Sequence, residues 1–119
     1  MIVVLVCGGR EFSDVDFLEN VLDHVHRKYF VVTVIQGEAR GADTLAKEWA
    51  IKRGVLHHGK EALWDKYGRS AGFRRNESMA NLKPHLVVAF KGGVGTAMMV
   101  RISKERKIKV LDFRKCAAS

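Results

Sequence analysis

Ile2-Val3-Val4-Leu5-Val6-Cys7-Gly8-Gly9-Arg10 opens the chain with an unbroken apolar run closed by a glycine pair. Such runs, rich in β-branched residues and lacking alternation, are strands buried on both faces, as in parallel sheets. The pattern recurs at Val31–Ile35, stopped by Gly37, and at Leu86–Phe90, followed by Lys91-Gly92-Gly93-Val94-Gly95-Thr96. The intervening segments have helical periodicity. Val15–Tyr29 carries Leu18, Val21, Leu22 and Val25 on one face, and Ala42–Arg53 repeats this with Leu45, Ala46, Trp49 and Ala50 before a stop at Gly54. Val55–His57 reads as a short, weak strand, residues 59–68 as irregular, and Ser70–Leu82 as a helix ending before Pro84. Gly95–Arg106 is a further helix and Ile108–Phe113 the last strand.

Strict strand–helix alternation argues for a parallel sheet covered on both faces, and right-handed crossovers narrow the topology. The expectation is an α/β fold: a single doubly wound Rossmann-like domain over residues 1–113. Its five-stranded, mainly parallel sheet has the order 3-2-1-4-5, and residues 114–119 form a short C-terminal tail.

A chain of 119 residues allows one domain, and 47% hydrophobic content excludes wholesale disorder. No apolar run approaches the roughly 20 residues that span a bilayer, and no secretory leader opens the chain. Two distant cysteines make no disulfide scaffold, and Cys7 reads as a small buried hydrophobe. A soluble, cytoplasmic protein with no membrane partner is expected. Lys and Arg number 21 against 13 Asp and Glu, a formal charge of +8, which favours anionic partners without choosing among them. The densest stretch, residues 101–107, is simplest as the solvated face of a helix.

Ligands of doubly wound sheets bind beyond the carboxyl ends of the strands, where the winding reverses. Here that is between strands one and four, whose exits are Gly8-Gly9-Arg10 and Lys91 to Thr96. Glycine lets a ligand approach the backbone N–H groups, and those groups at a helix start hold an anion. Helix one begins among Ser13, Asp14 and Asp16, and helix two at Asp43, so each supplies its own carboxylate. The helix after Gly95 has no acid until Glu105 and is free for a phosphate, with Thr96 adding a hydroxyl and Lys91 and Arg10 adding charge. Gly-Gly pairs also merely turn a chain, and neither a P-loop nor a complete GxGxxG is present. The expected anion site thus comprises Gly8, Gly9, Arg10, Lys91, Gly92, Gly93, Gly95 and Thr96.

Gly37-Glu38-Ala39-Arg40-Gly41-Ala42-Asp43 leaves strand two at the same edge. Asp43 reads as a plain N-cap or as a carboxylate for ribose hydroxyls, and Arg40 as an anion contact or a solvated side chain. Trp64 either plugs the core edge or stacks on a base; Arg75 and Asn76 lie early in the Ser70–Leu82 helix, and Met79, one turn on, reads as core. His24 and His26 point different ways on a helix, as do His57 and His58 in a strand, so no metal site is expected. No resident cofactor is indicated. Cys116-Ala-Ala-Ser119 fits a prenylation box only formally.

Gly8-Gly9-Arg10, Gly41-Ala42-Asp43 with Ala46 and Trp49, Trp64-Asp65-Lys66-Tyr67-Gly68, Ala71-Gly72, Arg75-Asn76 with Met79, and Gly92 through Met99 together resemble the YspA (cpYpsA-related) SLOG family, from about Ile2 to Val110. The resemblance implies a Rossmann-like domain of the superfamily that includes the LOG phosphoribohydrolases and DprA. It also implies a nucleotide or nucleotide-derived ligand, AMP- or ADP-ribose-like, in a bacterial or phage sensor or processing enzyme, with a homodimer by analogy. Three departures stand out. Lys91 follows Phe90 where the family has proline, and Glu38 stands where it often has glycine. Ala97-Met98-Met99 lacks the glutamate that LOG enzymes use to cleave a ribose–base bond, leaving Glu38 and Asp43 as candidate catalytic residues. Three functions follow: nucleotide binding, nucleotide hydrolysis at an N-glycosidic or phosphate bond, and, less favoured, single-stranded nucleic-acid binding.

Overall fold

The computed structural model describes residues 1–116. The chain runs β1 (Ile2–Cys7), α1 (Val15–Tyr29), β2 (Val31–Gln36), α2 (Ala42–Arg53), β3 (Leu56–Gly59), α3 (Trp64–Tyr67), a 3-10 turn (Gly68–Ser70), α4 (Ala71–Asn81), β4 (Leu86–Ala89), α5 (Val94–Glu105) and β5 (Lys109–Asp112). All neighbouring strands pair in parallel, in the order β3-β2-β1-β4-β5, as the alternating pattern anticipates. The end of the expected tail, including most of the formal prenylation box, lies outside the described residues.

Period-two side-chain alternation splits β1 between two cores. Val4 and Val6 pack with Leu18, Leu22, Ala46 and Trp49 of α1 and α2. Leu5 and Cys7 pack on the other face with Met79 of α4 and Met99 and Ile102 of α5. Central β1 and β4 are therefore apolar throughout, whereas edge strand β3 is exposed along its whole length. Trp49 is fully buried, and its indole N–H donates to Asp23 Oδ1 at 2.9 Å.

Several sequence-derived boundaries move. β3 starts at Leu56 and extends to Gly59, and the stretch expected to be irregular contains α3 and the 3-10 turn. α5 begins at Val94 rather than Gly95, capped by Gly93. The N-cap of α2 is Gly41, not Asp43, so the plain-cap reading of Asp43 is corrected. Gly41 sits at φ +80°, where its own backbone turns the chain against the Gly9 and Arg10 carbonyls. That conformation excludes side chains, and Asp43 is displaced into the first turn.

Candidate functional site

Three strand exits converge on Gly9. Its N–H donates to the Lys91 carbonyl at 2.9 Å, and its own carbonyl accepts from Ala42 N–H at 3.2 Å. A Cβ on Gly9 would stand 3.0 Å from the Gly92 Cα, so the β1 and β4 turns are in backbone contact. Beneath them Phe90 meets Phe12 and Phe17, ring centres 5.1 and 5.9 Å apart.

Beside this junction lies a cavity of about 370 Å³. Gly8, Gly9 and Arg10 from the β1 exit and Gly93, Gly95 and Thr96 from the start of α5 line it, facing Asp43, Arg75 and Asn76. Nine of the residues singled out from sequence are thus brought together. The α5 start has no acid in its first turn and no side-chain cap, and first-turn N–H groups have no intrahelical acceptor. α1 differs: the Asp14 carboxylate accepts from Phe17 N–H at 3.1 Å.

Asp43 is nearly buried and accepts from Ala39 N–H at 3.3 Å. Burial pushes its pKa up to about 6, against the pull of the Ala39 N–H and the Arg75 charge. Arg75 and Asn76 tie the β2 exit to α5. The Arg75 guanidinium donates Nη1–H to the Gly37 carbonyl at 2.6 Å and Nε–H to Asn76 Oδ1 at 3.0 Å, and Asn76 Nδ2 donates to the Gly95 carbonyl at 3.1 Å. Desolvation lowers the Arg75 pKa, with the Asp43 charge opposing. Cys7 also lines the cavity, where burial raises its thiol pKa and removes nucleophilic character at neutral pH.

The other sequence candidates lie outside this cavity. Gly37, Glu38 and Arg40 border an adjoining cleft that shares Arg10, Arg75 and Trp64 with it. Glu38 accepts from the Gln36 amide and pairs with Lys47 at 3.4 Å, contacts that hold its pKa down. Exposed Arg40 pairs with Glu11 at 2.6 Å. Gly41 sits behind the junction, and Lys91 and Gly92 line a separate groove with Gly9, Arg10 and Phe12. Phe73, Arg69 and Met98, which the sequence reading did not select, complete the cavity with Trp64. The aromatic-basic run from Trp64 to Arg69 was the available signal for this wall. No cluster of three or more potential metal ligands occurs among the described residues.

A parallel doubly wound domain with glycine turns meeting at its switch point belongs to the Rossmann-like class. Residues 2–67 match the model of the YspA, cpYpsA-related SLOG family. The chain is also 32% identical over 120 residues to the gene 61 protein of Mycobacterium phage D29, covering 92% of this chain and 94% of that protein. The chain belongs to the YspA, cpYpsA-related SLOG family. No solved structure matches it.

Proposed function

We propose that this protein binds a nucleotide or nucleotide-derived ligand at the switch-point cavity, as a sensor or sequestering module. The observation that carries the reading is the acid-free head of α5 opening on the same cavity as Asp43, Arg75 and Thr96. The ligand phosphate sits against the first-turn N–H groups of α5 and the Thr96 hydroxyl, with Arg10 supplying mobile charge. Asp43, once ionised, accepts from ribose hydroxyls. Family membership agrees with a nucleotide-related role.

A second reading, hydrolysis of the ligand, rests on Asp43 alone, because its pKa of about 6 leaves it able to give or take a proton near neutrality. Glu38 is engaged by Gln36 and Lys47 and borders the adjoining cleft, so it makes a poor second carboxylate.

One experiment tests both. AMP and ADP-ribose are expected to raise the melting temperature and to be recovered intact by mass spectrometry. Gly93→Asp is expected to abolish the shift. A Cβ at Gly93 meets nothing within 4 Å, so the variant folds. Its carboxylate caps α5 and stabilises the unliganded protein by about 1 kcal/mol, while repelling a phosphate. An unchanged melting temperature with every nucleotide sinks the binding reading; cleaved products promote the second.

A further inference from the structure

The outer wall of the cavity carries two aromatic side chains that the fold leaves in water. Trp64 is 48% exposed and Phe73 43% exposed, on short helix α3 and the first turn of α4. Neither is in the two buried clusters that hold the sheet, whereas Trp49 is fully buried. The Trp64 indole N–H has no protein acceptor among the described residues, so hydrogen bonding does not explain its placement. Gly72 does bear on it. A Cβ there would come within 3.4 Å of Trp64 Cη2, so the indole lies along the first turn of α4. Arg69 also lines this cavity, as do Gly93, Gly95 and Thr96 at the head of α5.

We propose that Trp64 and Phe73 are the platform on which the nucleobase stacks, making a 5′-mononucleotide the unit this cavity recognises. The proposal rests on the nucleotide reading above and adds the orientation of the ligand: base toward α3, phosphate toward α5. Water-exposed rings gain contact area when a planar base covers them, and stacking tolerates any base because each has a π-face. At about 370 Å³ the cavity lies at the small end of ligand sites, which run from roughly 300 to 1,000 Å³. That accommodates one nucleotide.

The test uses the intact chain and its own fluorescence. With Trp49 fully buried, ligand-dependent quenching reports on Trp64. AMP and UMP should quench the emission, while ribose 5-phosphate should bind by calorimetry without quenching. Trp64→Ala should weaken AMP by about tenfold and leave ribose 5-phosphate unchanged, whereas Trp64→Phe, which retains a ring, should restore most of the loss. If Trp64→Ala weakens AMP and ribose 5-phosphate equally, or leaves AMP unchanged, the platform is overturned and the nucleotide site stands. If neither compound binds the wild-type protein, both fall.

Discussion

The Asp43 carboxyl is held out of water by the β2 exit and the first turn of α2, and the fold bears a cost for ionising it there. Its folded-state pKa of about 6 lies above the ordinary 3.8, so between those pH values the native protein holds a proton that the unfolded chain has released. Stability contributed by this group is present at low pH and is lost as pH rises toward 6, and the deficit then persists at neutrality. Asp43→Asn keeps an acceptor for Ala39 N–H and removes the charge. It should stabilise the protein by roughly 1–2 kcal/mol above pH 7, with the difference closing below about pH 4, as read by denaturant melts across pH. The same variant should lose ribonucleotide affinity, since a carboxylate accepts from two hydroxyls where an amide offers one oxygen. The sequence placed this residue at the right edge of the sheet. Its burial was not legible there, because it depends on how the Ala39 turn folds back on it and on Arg75, which approaches from α4.

At the scale of elements, α4 acts as a strut between the β2 exit and the head of α5. Two of its polar side chains, Arg75 and Asn76, reach the Gly37 and Gly95 carbonyls. Asn76 is almost fully buried, so removing its amide strands the Arg75 Nε–H and cuts the tie to the Gly95 carbonyl. Asn76→Ala should cost about 1–3 kcal/mol and weaken nucleotide binding. Arg40→Ala should change stability by less than about 1 kcal/mol, since its Glu11 pair is exposed. Thermal melts of the two variants with and without nucleotide check this. Helices α1 and α2 were readable because each carries apolar residues at helical spacing, and the end of α4 was readable from Pro84. α3 was not, since four residues show no period and its Trp64 faces the cavity instead of the core. β3 blurred for a related reason: an exposed edge strand lacks the continuous apolar run that marked β1 and β4.

For the whole molecule, part of the basic surface behind the formal charge of +8 is engaged in ion pairs. Arg53 pairs with Asp23, Lys52 with Glu19, Arg106 with Glu77 and Arg114 with Asp112. The proposed function asks for a single phosphate subsite and not for a path along a polynucleotide. A protein making 6–10 phosphate contacts loses about 10³–10⁵ in affinity between 50 and 200 mM salt. This one should lose less than about tenfold for AMP over the same range, and should not shift single-stranded DNA at nanomolar concentration. Mobility-shift and calorimetric titrations at the two salt levels check both statements. No helix among the described residues is long and apolar enough to cross a membrane.

Local pattern was sufficient for the parallel sheet, its strand order and the approach of the two glycine turns. Buried strands must be apolar on both sides, and right-handed crossovers leave few ways to connect them. Seven of the cavity residues could be named from that pattern, because strand ends in such a sheet share one edge, whereas Arg75 and Asn76 lie on α4 and came with the family resemblance. Packing decided the rest. Which cations face the cavity, which acid is desolvated, and which aromatic wall closes it depend on contacts between segments tens of residues apart, such as Arg75 with Gly37. Lys91 stood beside Arg10 as a source of charge and Glu38 beside Asp43 as a candidate catalytic residue, yet Lys91 and Glu38 line other grooves. Adjacency at a strand end brings a residue to the edge; the neighbouring helix determines which side of that edge its side chain occupies.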